Sequence, residues 1–346
     1  MERTMERNYW ALLPFSGGSD FLPAVRAIED RGFAGVAFPQ VYGPPFVPAA
    51  LAATATTRLQ LATGIAVGLT RSPFETAMAA LDVDRFSGGR FVLGLGTGPM
   101  HWTKGYYGMP YDKPVSRLRE VVQILRHVED GARSGSMKPW RGDCYELEFH
   151  GYEPTAPPYR ERIPVWIAGL RQKMCELAGE VADGLIGHPI WSVEWALGQA
   201  QKSLAIGAAR TGRDPAKIHF QPWVMASIDR DRRIAIDEAK PFVAFYGGFA
   251  QYLPYFEAHG FGPEARELHE ASKSMDCAKA AHLVPDEMAR TFIACGTPDE
   301  VREAVEPLWQ RANSMLIGPP TWGLSAERLA AKNAAIADTF WDRERR

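Results

Sequence analysis

The sequence predicts an α/β protein of the (β/α)8 TIM-barrel class, with loop insertions at the C-terminal face of the barrel. Three observations carry this. Short apolar runs alternate with helical patterns along the whole chain, the rhythm of a parallel sheet joined by crossover helices. Eight such runs can be counted, the number that closes a parallel barrel. The 346 residues suit one barrel with insertions and can bury a large core without staples.

The elements follow in order. Tyr9 to Phe15 reads as the first strand. Asp20 can cap a helix that carries Leu22, Val25 and Ile28 on one face and stops at Gly32. Residues 35–40 (GVAFPQ) form strand two, residues 48–57 an alanine-rich helix, and residues 59–67 (LQLATGIAV) strand three. Ser72-Pro73-Phe74-Glu75 reads as a capping box with proline at the first helical position. That helix ends near Gly88-Gly89, before strand four at residues 90–96. Leu118, Val121, Val122, Leu125 and Val128 mark the next amphipathic helix.

Strand five is residues 163–168, followed by a helix with Met174, Leu177, Ala178 and Val181; strand six is 183–188 and strand seven 218–228. Thr297-Pro298-Asp299-Glu300 is a second capping box. Residues 312–317 give strand eight, and 325–340 a closing helix. The whole chain, 1–346, is read as a single domain. Its extra length lies in excursions at about 97–115, 131–162 and 245–292.

Composition narrows the function classes. The chain is 46% apolar and 23% charged with a net charge of −2, so neither a nucleic-acid nor a membrane surface is expected. The first residues, MERTMERNYW, lack the apolar stretch of a signal peptide, and no run is long enough to span a bilayer. Cys144, Cys175, Cys277 and Cys295 form no C-x-x-C pair and read as reduced thiols, which points to a cytoplasmic protein. No His/Cys/carboxylate group has metal-ligand spacing, so no metal is expected.

Barrel enzymes build their sites from the loops after the strands. Two histidines fall in such places. His101 follows strand four by five residues, and His188 ends strand six. Histidine suits proton transfer near neutral pH, although either could equally be structural or contact a phosphate. Gln40, at the end of strand two, could hydrogen-bond a cofactor ring or substrate, or simply be an amide at the rim. Trp10, Phe38, Tyr42, Trp102 and Trp191 lie beside predicted strand ends and suggest a pocket for a hydrophobic or aromatic substrate. Ala168, Gly169, Leu170 and Arg171 lie in a strand-to-helix turn, where free N–H groups and the helix dipole favour a phosphate.

Four stretches resemble the superfamily of luciferase-like monooxygenases and F420-dependent oxidoreductases. They are RLQLATGIAVGLTRSP (58–73), FSGGRFVLGLGTG (86–98), PVWIAGLRQKMCELAGEVADGLI (164–186) and CGTPDEVREAV (295–305), in the family's order and spacing. The resemblance spans roughly residues 8–320 and is nearest to subfamilies that use the deazaflavin coenzyme F420. It implies a homodimer and a non-prolyl cis peptide behind the cofactor ring, here matched by Gly64–Ile65. It also implies cofactor contacts at Gly96, Thr97, Gly98, Met174 and Gly187, with Gly187 and His188 completing the phosphate cradle.

Three positions depart from the family. Arg171-Gln172 stands where the family generally has Gly-Pro, and Gln40 where deazaflavin enzymes have an acidic residue. Pro99 stands where some dehydrogenases have a glutamate. The leading function implied is hydride transfer between coenzyme F420 and a small, hydrophobic carbonyl, alcohol or activated-ring substrate. The alternatives are an FMNH2-dependent, oxygen-using monooxygenase served by a separate reductase, and a flavin-binding protein that has lost catalysis. Arg71, Lys104 and Arg171 are loop cations available to the coenzyme's acidic tail.

Overall fold

The computed structural model describes residues 7–14 and 18–341, with the side chains of residues 277 and 278 excepted. Its contacts divide the chain into two compact units. One comprises residues 1–186 and 200–221, the other 187–199 and 222–346.

The first unit carries ten strands: β1 (Tyr9–Leu12), β2 (Gly35–Phe38), β3 (Gln60–Thr63), β4 (Ala66–Val67), β5 (Phe91–Gly96), β6 (Trp140–Arg141), β7 (Glu146–Leu147), β8 (Val165–Ala168), β9 (Gly184–Ile186) and β10 (His219–Gln221). Seven form one parallel run in the order β10-β9-β8-β5-β3-β2-β1, and β4 pairs with β5. The helices between them are α1 (Phe21–Asp30), α2 (Phe46–Ala55), α3 (Pro73–Ser87), α4 (Met100–Gly105), α5 (Pro114–Ser134), α6 (Gln172–Val181) and α7 (Gln201–Arg210). The strands are short and apolar on both faces, as buried parallel strands are: every residue of β2 and β5 is buried.

Half-buried polar side chains tie the helices to the sheet. Arg90 donates to the carbonyls of Ala53, Thr56, Leu59 and Ser87, closing the C-terminal ends of α2 and α3. The Glu29 carboxylate accepts the N–H groups of Thr57, Arg58 and Leu59. These bonds hold its carboxyl below the usual range even though burial opposes them.

The second unit holds β11 (Trp223–Ile228), β12 (Ala294–Gly296) and β13 (Met315–Gly318), parallel in the order β13-β11-β12. Its helices are α8 (Arg232–Gly247), α9 (Leu253–Glu257), α10 (Gly262–Ala271), α11 (Asp286–Phe292), α12 (Pro298–Val305) and α13 (Ala326–Phe340). Lys332 is buried here, with Glu238 at 2.6 Å and the Ile228 carbonyl at 3.0 Å. A buried ammonium needs such partners.

Several sequence expectations need correction. The predicted strand seven is two strands, broken at Pro222, because proline has no N–H for the ladder. The fragments lie in different units. Strand β12 was not expected, since three residues show no periodicity. Predicted strand three is interrupted between Thr63 and Ala66. The Ser72 cap is real, its hydroxyl accepting the Phe74 N–H at 3.2 Å, but Glu75 turns to Arg71 instead of closing a box. The box at Thr297 is complete. Residues 131–162 begin as the last turn of α5 and continue into the β6–β7 hairpin, pinned by Glu120, whose carboxylate accepts the Cys144 and Tyr145 N–H groups. The 245–292 excursion is largely helical. Phe15 lies outside the described residues.

Candidate functional site

In the first unit the strand ends meet at a cluster of glycines. The Gly64–Ile65 peptide bond is cis. The Gly64 N–H donates to the Phe38 carbonyl at 2.8 Å, and the Ile65 carbonyl accepts the Gln40 N–H at 3.2 Å. A Cβ on Gly64 would lie 2.6 Å from the Ala37 Cβ, and one on Gly94 would lie 2.0 Å from the Thr63 carbonyl oxygen. A Cβ on Gly96 would lie 2.9 Å from Ile65 Cδ1 and 3.7 Å from the Ala168 Cβ. Gly98 has φ +64° and sits against Val67. Close approach of β2, β3, β4 and β5 therefore requires glycine at these points. Together they make a low, apolar floor at the carboxyl ends of parallel strands, where α/β proteins bind their ligands. Thr97 continues the floor, half-buried.

Beside the floor, Gln40 is buried and its amide is saturated. Oε1 accepts the Val67 N–H and Arg71 Nη2, each at 2.9 Å. Nε2 donates to Thr70 Oγ1 at 3.2 Å and to the Tyr107 hydroxyl at 3.0 Å. Both donors and both lone pairs are used. Gln40 is thus a clamp on the loops after β4 and β5, with no donor or lone pair of its amide left for a ligand. Burial lowers the pKa of the Arg71 guanidinium against the opposing pull of Glu75 and Tyr107.

The predicted aromatic pocket divides. Trp10 is buried against Trp166 at 5.3 Å and covers Gly35, level with the start of β2 and far from its carboxyl end. Phe38 is fully buried and packs on Phe21 of α1. Both are core, and their assignment to a pocket is corrected. Their positions near strands were legible, but the face each presents was not. Tyr42 and Trp102 do meet, at 6.3 Å, with Tyr106 completing a trio. His101 is exposed on α4, its ring 6.1 Å from that of Trp102.

At the end of β8, the Gly169 N–H is already donated to the Ile186 carbonyl at 3.0 Å. A Cβ there would strike Cys175 Sγ at 2.8 Å. Helix α6 starts at Gln172 with no side-chain cap on its first N–H groups. Leu170 is half-buried, Arg171 is exposed at the cap, and Met174 lies in the first helical turn.

In the second unit, Trp191 is buried and lies against Gly187, where a Cβ would meet its ring at 2.8 Å. His188 Nε2 lies 3.3 Å from the Tyr252 hydroxyl, and its ring contacts Tyr246 at 5.2 Å. Burial pushes the His188 pKa down to about 3 and the Tyr246 phenol well above its ordinary value. His188 is therefore a neutral imidazole at physiological pH, which corrects the expectation of a group that titrates there. Tyr252 was not singled out from sequence; the aromatic density of FYGGFAQYLPYF was the available signal.

Among the described residues no His/Cys/Asp/Glu group could hold a metal ion, and no helix is long and apolar enough to cross a membrane. Cys144, Cys175 and Cys295 are free thiols, the latter two pushed up to about 12 by burial; the Cys277 side chain lies outside the described residues.

The family model for luciferase-like monooxygenases matches residues 16–313. The chain belongs to this family. Among luciferase-like relatives, an uncharacterised protein of Mycobacterium tuberculosis is 33% identical over 82% of this chain and 84% of its own length. A second M. tuberculosis protein, provisionally named a coenzyme F420-dependent oxidoreductase, is 30% identical over 90% of this chain and 92% of its own. Of solved structures, the coenzyme F420-dependent tetrahydromethanopterin reductase of Methanopyrus kandleri superposes with a TM-score of 0.76 at 24% identity, covering 91% of this chain and 93% of that one. That likeness shows the fold: the chain has the TIM-barrel-like α/β fold of the luciferase-like proteins.

Proposed function

We propose that this luciferase-like protein is a coenzyme F420-dependent oxidoreductase. It would move a hydride between C5 of the deazaflavin and a small, hydrophobic carbonyl, alcohol or activated-ring substrate. The observation that carries the reading is 30% identity, along nine-tenths of the chain, to a relative provisionally named for that coenzyme. The geometry is compatible with it. The floor at Gly64, Ile65, Gly96 and Gly98 presents backbone and small apolar groups to a planar ring, and the uncapped start of α6 with Arg171 offers N–H groups and a cation to a phosphate. The coenzyme, when bound, supplies the two-electron chemistry. The protein would orient the ring, exclude water and hold the proton that balances hydride transfer to a carbonyl.

Gln40 and Pro99 occupy places where some deazaflavin dehydrogenases carry acids, so the proton must come from elsewhere. His101, on α4 of the same unit as the floor, is the candidate. Paired titrations with F420 and FMN, followed by anaerobic turnover, test the function. Tighter F420 binding with turnover in the absence of oxygen is expected. FMN binding alone, with product formed only when oxygen is present, would make the protein a monooxygenase. Binding of either cofactor without turnover of any acceptor would make it a carrier.

A further inference from the structure

We propose that Arg71 is a carboxylate-recognising residue, aimed by Gln40 at a ligand whose apolar body meets the Tyr42–Trp102–Tyr106 cluster. The inference rests on the F420-dependent reading only in its coenzyme arm.

Arg71 is held unusually well for a cation so close to a loop surface. Its side chain is 12% exposed. Nη2 donates to Gln40 Oε1 at 2.9 Å, and Gln40 cannot swing away, because the Val67 N–H, Thr70 and Tyr107 occupy the rest of its amide. The guanidinium lies over the Phe46 ring, 5.3 Å from its centroid. On the Nε side stands Glu75 at 3.5 Å, a carboxylate that is itself 58% exposed. Nη1 is buried and has no hydrogen-bond partner in the structure.

A buried guanidinium with one orphan NH2 is unfavourable alone. An unmet buried donor is costly, and more so on a charged group. The structure nevertheless fixes its plane from two sides, by a saturated amide and an aromatic face. That is pre-organisation for a planar anion, and guanidinium–carboxylate bonds are about twice as strong as neutral ones. Glu75 supplies only a long, solvent-screened contact to the other side of the fork. The Gln40 partner Tyr107 donates its own hydroxyl to the Tyr42 carbonyl at 2.8 Å. The clamp is therefore continuous with the aromatic trio, in which Tyr42 is 69% and Tyr106 62% exposed. Exposed rings beside an orphan cation suit an aromatic or apolar carboxylate. The carboxylate has two sources within this reading, a substrate or the glutamyl tail of the coenzyme.

The test uses the full chain and four probes: benzoate, neutral benzyl alcohol, coenzyme F420, and the deazaflavin riboside that lacks phosphate and tail. Binding is read by tryptophan fluorescence and calorimetry. If the carboxylate is the substrate's, the wild type binds benzoate at least tenfold more tightly than benzyl alcohol. Arg71→Met then abolishes that preference, and Arg71→Lys, which keeps charge but not the fork, retains part of it. If the carboxylate is the coenzyme's, Arg71→Met weakens F420 about tenfold or more and leaves the riboside unchanged. Should Arg71→Met not fold, Arg71→Lys carries the comparison, with an expected three- to tenfold loss. Either pattern supports the proposal. Arg71 variants that fold and bind benzoate and F420 like the wild type overturn it. Benzoate preference dependent on Arg71 in a protein that never binds F420 would instead sink the proposed cofactor while leaving this site standing.

Discussion

His188 Nε2 stands 3.3 Å from the Tyr252 hydroxyl while the Ile190 N–H approaches Nδ1 from 3.4 Å. The second contact is long, but it makes Nδ1 an acceptor. The hydrogen of the neutral ring then resides on Nε2 and is donated to the Tyr252 oxygen. The Ile190 contact sets the tautomer, and burial sets the protonation state.

That state has a consequence for stability against pH. His188 is held at about 3 and, in the first unit, His219, stacked on Trp166 at 4.2 Å, at about 4, both by burial. Unfolded histidine titrates near 6.5. Between the folded and unfolded values the unfolded chain binds more protons, so stability rises with pH there and is lost as pH falls from about 6.5 toward 4. Each histidine adds up to about 1.4 kcal/mol per pH unit to that slope. His188→Gln should flatten it, as should His219→Gln, in denaturant titrations at a series of pH values. A slope unaltered by both substitutions would mean that neither ring is neutral for the reason given.

Gln40 yields a second prediction. Gln40→Leu removes four hydrogen bonds and strands the Val67 N–H and the Arg71 guanidinium in a buried place. A loss of about 2–4 kcal/mol is expected. Gln40→Glu keeps both acceptor contacts, and the Tyr107 hydroxyl can turn to donate to it, so a change within about 1 kcal/mol is expected. Urea unfolding of the two variants decides the matter. Equal stability of Gln40→Leu and wild type would show that the amide is not a clamp.

These residues also mark what was legible in the sequence. The strand–helix alternation and the Thr297 capping box depend on local pattern, and they stand in the structure. The glycines from 64 to 98 were visible as a motif, but not that Gly94 faces the Thr63 carbonyl while Gly96 faces Ile65. Trp10 and Phe38 were misplaced because closeness to a strand end does not fix which face a ring takes. The role of Gln40 was left open because its four partners lie 27 to 67 residues away, at Val67, Thr70, Arg71 and Tyr107, and only the folded loops bring them together.

The floor supplies a third prediction. An added methyl at Gly94 would be 2.0 Å from a carbonyl oxygen of the neighbouring strand, which has no side-chain freedom to yield. Gly94→Ala should lose about 3 kcal/mol or more and bind no cofactor. Gly105, at the end of α4, has open space around it and φ outside the left-handed region, so Gly105→Ala should be neutral or slightly stabilising. Thermal melts of the pair provide the comparison. Similar losses at both positions would argue that glycine at 94 matters for backbone freedom and not for close approach.

Arg171 offers the last. It is exposed at the start of α6, where the helix has no side-chain cap, so its removal leaves no buried group unpaired. Arg171→Ala should therefore melt within about 1 °C of the wild type, as surface substitutions generally do. If the coenzyme phosphate sits at this helix start, the guanidinium adds a charge-assisted contact of roughly 1.5–3 kcal/mol. Its loss weakens F420 binding about tenfold or more, since each 1.4 kcal/mol is a factor of ten. The phosphate-free riboside lacks the group that Arg171 would hold, so its affinity should not change. Raising the salt concentration should narrow the gap between wild type and variant, because an exposed charge pair is screened. Titration of the coenzyme and the riboside against both proteins, at low and high salt, reads all three effects together. Unchanged coenzyme affinity in Arg171→Ala would take this residue out of the site and leave the phosphate to the backbone N–H groups of α6.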